Sequence, residues 1–150
     1  MNLFLAHYLE GDILNYESKT IKLAMNDGKI FDGILKLYEE SPDDEEMVLI
    51  ELLILGDTIS FEHENFFLVL QSLRQHLEKK HIQVMCNGAA LNVYPSQMQG
   101  TGHLAYKLKF GEPARLKDIV DIFEFDNGLR FVKIEEQFSY YNKWLKSLEG

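Results

Sequence analysis

The chain has 150 residues, 46% hydrophobic and 12% aromatic, with three prolines: a core-forming composition that excludes a disordered chain. Twenty-four acidic against fifteen basic residues leave a net charge of −9, and no Lys/Arg run is longer than Lys79-Lys80. That balance argues against direct binding to nucleic acid or to an anionic membrane, and makes a basic protein the natural complement. The single cysteine, Cys86, leaves no internal disulfide. Met1 to Tyr8 lacks the basic start and long apolar run of a signal peptide, and no apolar stretch approaches the ~18 residues of a membrane span, so a cytoplasmic location is expected.

In chain order, Ile13 to Tyr16 and Thr20 to Met25 have strand character, and Asn26-Asp27-Gly28-Lys29 predicts a tight primed hairpin turn leading into a strand over Ile30 to Tyr38. Glu39 to Glu46 is a polar loop with six carboxylates, followed by an aliphatic strand over Met47 to Leu55 and a turn at Gly56-Asp57. Phe66, Leu70, Leu73 and Leu77 recur at helical spacing, predicting a helix from near Glu64 to near Lys80. Glu62 and Glu64 at its start and Lys79, Lys80 and His81 at its end suit the helix dipole. Strands over Ile82 to Cys86, Leu91 to Tyr94 and His103 to Phe110 follow, with turns at Asn87-Gly88 and over Ser96 to Gly102. Pro113 to Phe123 fits a short helix, and Glu135 to Leu148 a last one with Phe138, Tyr141, Leu145 and Leu148 as its packing face and Trp144 beside it. There is no internal repeat and no linker. The expected fold is a single α+β domain over 1–150 with a mainly antiparallel sheet and about three helices.

The usual catalytic patterns are not met. Glu62-His63-Glu64 places three polar side chains in a row, but adjacent positions diverge on a strand or a helix and cannot converge on one metal. His76 and His81 have a sufficient explanation in the helix C-terminus. His7 and His103 complete the histidines, and neither falls in a motif. Cys86, inside a predicted strand with no local base, fits an inert buried thiol. Gly100-Thr101-Gly102 lacks the ending of a phosphate loop and precedes a strand. No catalytic residue, metal ligand or cofactor is therefore assigned. The acidic loop stands out instead: Glu39, Glu40, Asp43, Asp44, Glu45 and Glu46 are either a solvated loop or a patch that steers a cationic partner. Further acids recur at Asp118, Asp121, Glu124 and Asp126 and at Glu135-Glu136. Tyr140, Tyr141 and Trp144 are an aromatic group suited to a core or to an interface anchor.

Residues 66–123 carry a resemblance. Phe66-Phe67-Leu68-Val69-Leu70 with the helix that follows, Cys86-Asn87-Gly88-Ala89, Asn92-Val93-Tyr94-Pro95-Ser96-Gln97-Met98, Ala105-Tyr106-Lys107-Leu108 and Asp118-Ile119-Val120-Asp121-Ile122-Phe123 together resemble immunity proteins of contact-dependent growth-inhibition systems. Such bacterial proteins are encoded beside polymorphic toxins. The resemblance implies a cytoplasmic antitoxin without catalytic activity that binds one toxin domain, usually a nuclease. A nuclease needs a basic surface for its substrate, which an inhibitor of charge −9 would meet. The contacts expected from charge and chemistry are Glu39, Glu40, Asp43, Asp44, Glu45 and Glu46, with Asp121 and Tyr140 as secondary candidates. Two other readings stay open: a non-enzymatic adaptor or secretion-chaperone-like protein, marked by an apolar surface patch or a stable homodimer, and a small hydrolase using a histidine and a carboxylate. The sequence leaves monomer against homodimer undecided.

Overall fold

The computed structural model describes residues 15–96 and 102–149. Its main sheet has five antiparallel strands in the order β4-β3-β2-β1-β5: β1 (Glu17–Ala24), β2 (Ile30–Tyr38), β3 (Val48–Ile54), β4 (Asp57–His63) and β5 (Gln83–Met85). Helix α1 (Phe66–Glu78) packs on one face. A second antiparallel sheet, β6 (Val93–Tyr94), β7 (Leu104–Lys107) and β8 (Ile119–Asp121), closes one end, and α2 (Ile134–Ser147) completes the chain. The class is α+β, as the segregated strands predict. The described residues form two α-helices rather than about three, and none is long and apolar enough to cross a membrane.

Period-two alternation builds the core. Ile21, Leu23, Leu35, Leu37, Ile50, Leu52 and Ile54 point from β1, β2 and β3 towards Phe66, Val69, Leu70, Leu73 and Leu77 of α1. Val93, Ala105, Val120, Ile122 and Phe123 join the same cluster, so both sheets share one core. Each fully buried aliphatic side chain contributes roughly 1.5–3 kcal/mol relative to an exposed one.

Several boundaries differ from the sequence reading, each for a local reason. Of the two strands expected over Ile13 to Tyr16 and Thr20 to Met25, the second begins earlier, at Glu17, because Glu17 to Ala24 pair without a break against Leu37 to Ile30; Tyr16 is not in a strand, and Ile13 and Leu14 lie outside the described residues. The β1–β2 turn is not a primed one. Only Gly28 takes a positive φ, 87°; its N–H donates to the Met25 carbonyl and the Met25 N–H to the Lys29 carbonyl, which is a bulged hairpin closed by glycine. The primed turn falls instead at Leu55-Gly56, with φ of 50° and 83°, between β3 and the unforeseen β4. Ile59 and Phe61 of β4 pack against the core cluster. Glu62 and His63, expected at a helix start, therefore end a strand, and Asn65 caps α1 by accepting the Leu68 N–H at 2.9 Å.

The helix expected over Pro113 to Phe123 is a 3-10 turn at Leu116–Asp118 followed by β8. The β-branched Ile119 and Val120 pair with Tyr106 and Ala105 of β7, and the turn has no side-chain cap, so sheet pairing outweighs a weak amphipathic pattern. On α2 the inward residues are Gln137 and Trp144, not the apolar stripe.

Gln137 is fully buried and its Nε2 donates to the carbonyls of Gly88, Ala90 and Val93. Its Oε1 accepts from Arg74 of α1, 1% exposed, which also donates to the carbonyls of Val132 at 2.7 Å and Gly88 at 3.3 Å. Burial lowers the Arg74 guanidinium from its ordinary value. Glu78, at the end of α1, accepts the Ile134 N–H at 2.9 Å and so caps α2 from outside. Polar groups with internal partners thus lock α2 to α1 and to the turn at Asn87–Ala89.

Candidate functional site

The β2–β3 connection is the acidic loop, and it is tied down at both ends. The Ser41 N–H donates to the Met47 carbonyl at 2.8 Å, the Asp44 N–H to Ser41 at 3.2 Å and the Met47 N–H to Asp44 at 3.0 Å. Asp44 also accepts the Glu46 N–H at its carboxylate, 2.9 Å. Ser41 is 5% exposed and its hydroxyl donates to the Glu62 carboxylate of β4. The remaining carboxylates of the loop project from this frame into solvent.

The loop forms one wall of a groove of about 690 Å³, the other wall coming from Asn15, Tyr16 and Glu17 at the start of β1 and from His103 before β7. Glu17, Glu39, Glu40, Asp43, Asp44 and Glu45 line it, six carboxylates against one imidazole. Such a concave surface with one sign of charge focuses the field and favours cationic groups. Glu46 is exposed on the same loop but does not line the groove.

Asp121, a candidate contact from sequence, does not line the groove but lies behind His103. Its Oδ2 is 3.9 Å from His103 Nδ1 and 3.8 Å from Lys19 Nζ, and its Oδ1 accepts the Phe123 N–H at 2.9 Å. The His103 ring is wedged edge-on against Phe66, with centroids 4.6 Å apart, and against Phe123 at 5.3 Å. Lys19 also meets Glu124 at 2.7 Å and Glu17 at 3.5 Å. Burial works to lower the Lys19 ammonium, but the Glu124 hydrogen bond and the charges of Asp121, Glu124 and Glu17 outweigh it and hold it above the ordinary lysine value. Lys19 therefore offsets Glu17 among the groove-lining carboxylates, and the acidic loop opposite carries the rest of the negative charge.

Asn87, 1% exposed, holds the segment around Asp121 in place. Its Nδ2 donates to the Asp121 carbonyl at 3.0 Å and to the Asp126 carboxylate at 3.1 Å, while its Oδ1 accepts the Asp126 N–H at 2.8 Å. The N–H groups of Asn87 and Gly88 donate to Glu124 and Ile122. A side chain at Gly88 would place its Cβ 2.9 Å from Ile122 Cβ and 3.1 Å from the Ile122 carbonyl, so glycine is required by close approach.

Tyr140 does not join this site. Its ring stacks on Phe110 at 4.6 Å and its hydroxyl donates to the Leu108 carbonyl at 3.3 Å, outside the groove lining. Cys86 is buried, and burial pushes its thiol up to about 12, away from the reactive thiolate form. His76 packs beside Phe61 in the last turn of α1, and His81 reverses the chain after it with a φ of 60°. Among the described residues no group of three or more His, Cys, Asp or Glu is placed to hold a metal ion. His7, Gln97, Met98, Gly100 and Thr101 lie outside the described residues.

No protein-family model matches the chain, and no curated protein gives a significant match. The groove thus carries the functional argument by its own geometry. It adds Glu17 and His103 to the residues expected from sequence, and the β1–β2 register is the signal that could have found Glu17. Counting outward from the turn pairs Glu17 with Leu37, two residues before the acidic loop.

Proposed function

We propose that this chain is an immunity protein: a non-catalytic, cytoplasmic inhibitor that binds a basic toxin domain, a nuclease by its surface charge, through the acidic groove. The observation that carries the reading is the groove itself, six carboxylates on a loop and strand held in fixed relation by Ser41 and by the β1–β2 pairing. A preorganised acidic concavity lowers the ordering penalty of binding and speeds encounter with a cationic surface. The resemblance of residues 66–123 to immunity proteins of contact-dependent growth-inhibition systems supports the same partner class. Asn87-Gly88 and Val93-Tyr94 in that segment have structural roles here, which leaves partner contact to the groove. The test is co-expression with the toxin domain encoded beside this chain's gene. Protection of the cell and co-purification of the two chains are expected; unabated toxicity with no complex would refute the reading.

One observation favours a second reading, a small hydrolase. His103 lines the groove with the Asp121 carboxylate 3.9 Å behind it, close to but outside the hydrogen-bond reach that an oriented general base uses. The one hydroxyl of a buried serine at the groove, Ser41, is committed to Glu62 and offers His103 no nucleophile in this arrangement. Hydrolysis of ester or phosphodiester probes that His103→Gln abolishes would establish this alternative.

A further inference from the structure

The cations of this chain are not spread evenly. Residues 104–117 carry Lys107, Lys109, Arg115 and Lys117 against one acid, Glu112, a net +3 within a chain of −9. The whole-chain charge argues against an anionic surface, and this stretch is the exception. It also leads away from the groove. From His103, in the groove wall, β7 carries the chain to Lys107, roughly 13 Å at the rise of a strand and more than the Debye length of about 8 Å at physiological salt. Among the described residues no carboxylate meets Lys107, Lys109 or Lys117, whereas Lys19 meets three.

The connection between β7 and β8 sets these charges around two apolar side chains. Lys109 pairs with Glu112 across a tight turn in which Gly111 takes a φ of 79°, and Phe110 at its tip is 52% exposed. Helix α2 holds the turn. Phe110 stacks on Tyr140 at 4.6 Å, the Gly111 N–H donates to the Ser147 hydroxyl at 2.8 Å, and Trp144 Nε1 donates to the Glu112 carbonyl at 2.9 Å. Lys143, one turn from both Tyr140 and Ser147, adds a further charge on that helix face. Arg115 bonds Glu112 and so tethers Leu116 beside the turn, where it is 80% exposed.

Chemistry selects the partner. Cations alone would suit any polyanion, and a single exposed leucine is ordinary. A nearly free leucine gains nothing from a phosphate backbone or a carboxylate patch. It does leave water on entering the acyl boundary of a bilayer, where an aromatic ring settles at headgroup level and Lys and Arg meet lipid phosphates. We propose that the β7–β8 connection docks this protein on an anionic bilayer surface, with Phe110 and Leu116 as the inserted pair. The surface is separate from the acidic groove, so the proposal goes beyond the immunity reading and does not depend on it.

Co-sedimentation of the full chain with vesicles tests it, comparing an equal mixture of phosphatidylglycerol and phosphatidylcholine with phosphatidylcholine alone. Binding to the anionic vesicles only is expected, weakening as salt rises. Lys109→Gln and Lys117→Gln should each weaken it roughly fivefold, and Phe110→Ser roughly tenfold, with circular dichroism spectra unchanged. Leu116→Ser, at a side chain the fold hardly covers, should act in the same direction and keeps the test open if Phe110→Ser loses structure. Lys79→Gln with Lys80→Gln removes two charges at the end of α1 and should leave binding nearly unchanged. Absence of binding to the anionic vesicles overturns the proposal. So does binding indifferent to Phe110→Ser and Leu116→Ser, or a loss from the Lys79 and Lys80 pair equal to that from Lys109 and Lys117. Capture of a single-stranded oligonucleotide in place of vesicles would overturn it too, and would assign the patch to nucleic acid.

Discussion

Two polar regions of the molecule make a useful contrast. Around Arg74 and Gln137, charged and amide groups are 1% and 0% exposed and, Arg74 Nε apart, spend their hydrogen-bonding capacity on Gly88, Ala90, Val93 and Val132 and on one another. In the groove, six carboxylates stand together on a surface, and of these Lys19 meets Glu17. The first region repays desolvation with internal partners and holds two helices to the sheet end. The second accumulates like charge, which works against the fold on its own and becomes favourable only when a cation arrives. Buried polarity here is architecture; exposed polarity of one sign is held open for a partner.

Mutations can break or sharpen that contrast. The largest effect belongs to Gln137→Leu, which keeps the volume but removes the donor to three carbonyls and an acceptor of a buried guanidinium. It should lower stability by about 3–5 kcal/mol in urea denaturation. Loss of less than ~1 kcal/mol would mean the hub is not structural. The triple change Glu39→Lys, Glu40→Lys, Glu45→Lys, at residues of the acidic rim, should leave Tm unchanged or raise it slightly as self-repulsion is relieved. A marked destabilisation would show that the rim, too, serves the fold.

The buried thiol ties stability to alkaline pH. Cys86 is held protonated up to about 12 in the folded state against 9.0 for the free thiol. Its contribution is fully present below pH 9 and is lost as pH rises from there towards 12, because only the unfolded chain releases the proton. Cys86→Ala should flatten the stability profile over that window; an identical slope would contradict the assignment. The smallest effect is local. Leu55 is 71% exposed with a φ of 50° in a primed turn, so Leu55→Asn should stabilise by about 1 kcal/mol, measured as a higher urea midpoint.

Much of the main sheet was legible in the sequence. Ile30–Tyr38 ends as the pattern predicts, and α1 keeps its apolar spacing, because those segments bury one face against one continuous partner. The failures mark where tertiary partners override local pattern. Ile119-Val120 reads as part of a helix until β7 offers it hydrogen bonds. The apolar stripe on α2 reads as a packing face, yet Gln137 finds three carbonyls and Trp144 donates to the Glu112 carbonyl at 2.9 Å, which turns the helix over. The acidic loop was visible as a charge run, but its closure by Ser41 was not, since the bond to Glu62 depends on β4. His103 and Asp121 are brought together by the β7–β8 pairing, with Leu104 opposite Asp121 and the Ile122 N–H donating to the His103 carbonyl at 2.7 Å, which no local motif records. Tyr140 has the residue type and helix position of an interface anchor, but its stacking on Phe110 removes it from the site.

The central claim is that the acidic groove receives a cationic partner. Its most direct test is the association rate of the neighbouring-gene toxin domain with the wild-type chain and with the Glu39→Lys, Glu40→Lys, Glu45→Lys variant, measured by stopped flow over a range of salt concentrations. The account predicts a wild-type rate that falls steeply with salt, and a variant slower by roughly 10- to 100-fold at low salt with a much flatter dependence. Equal rates and equal salt slopes for the two proteins would contradict it and move the partner to another surface.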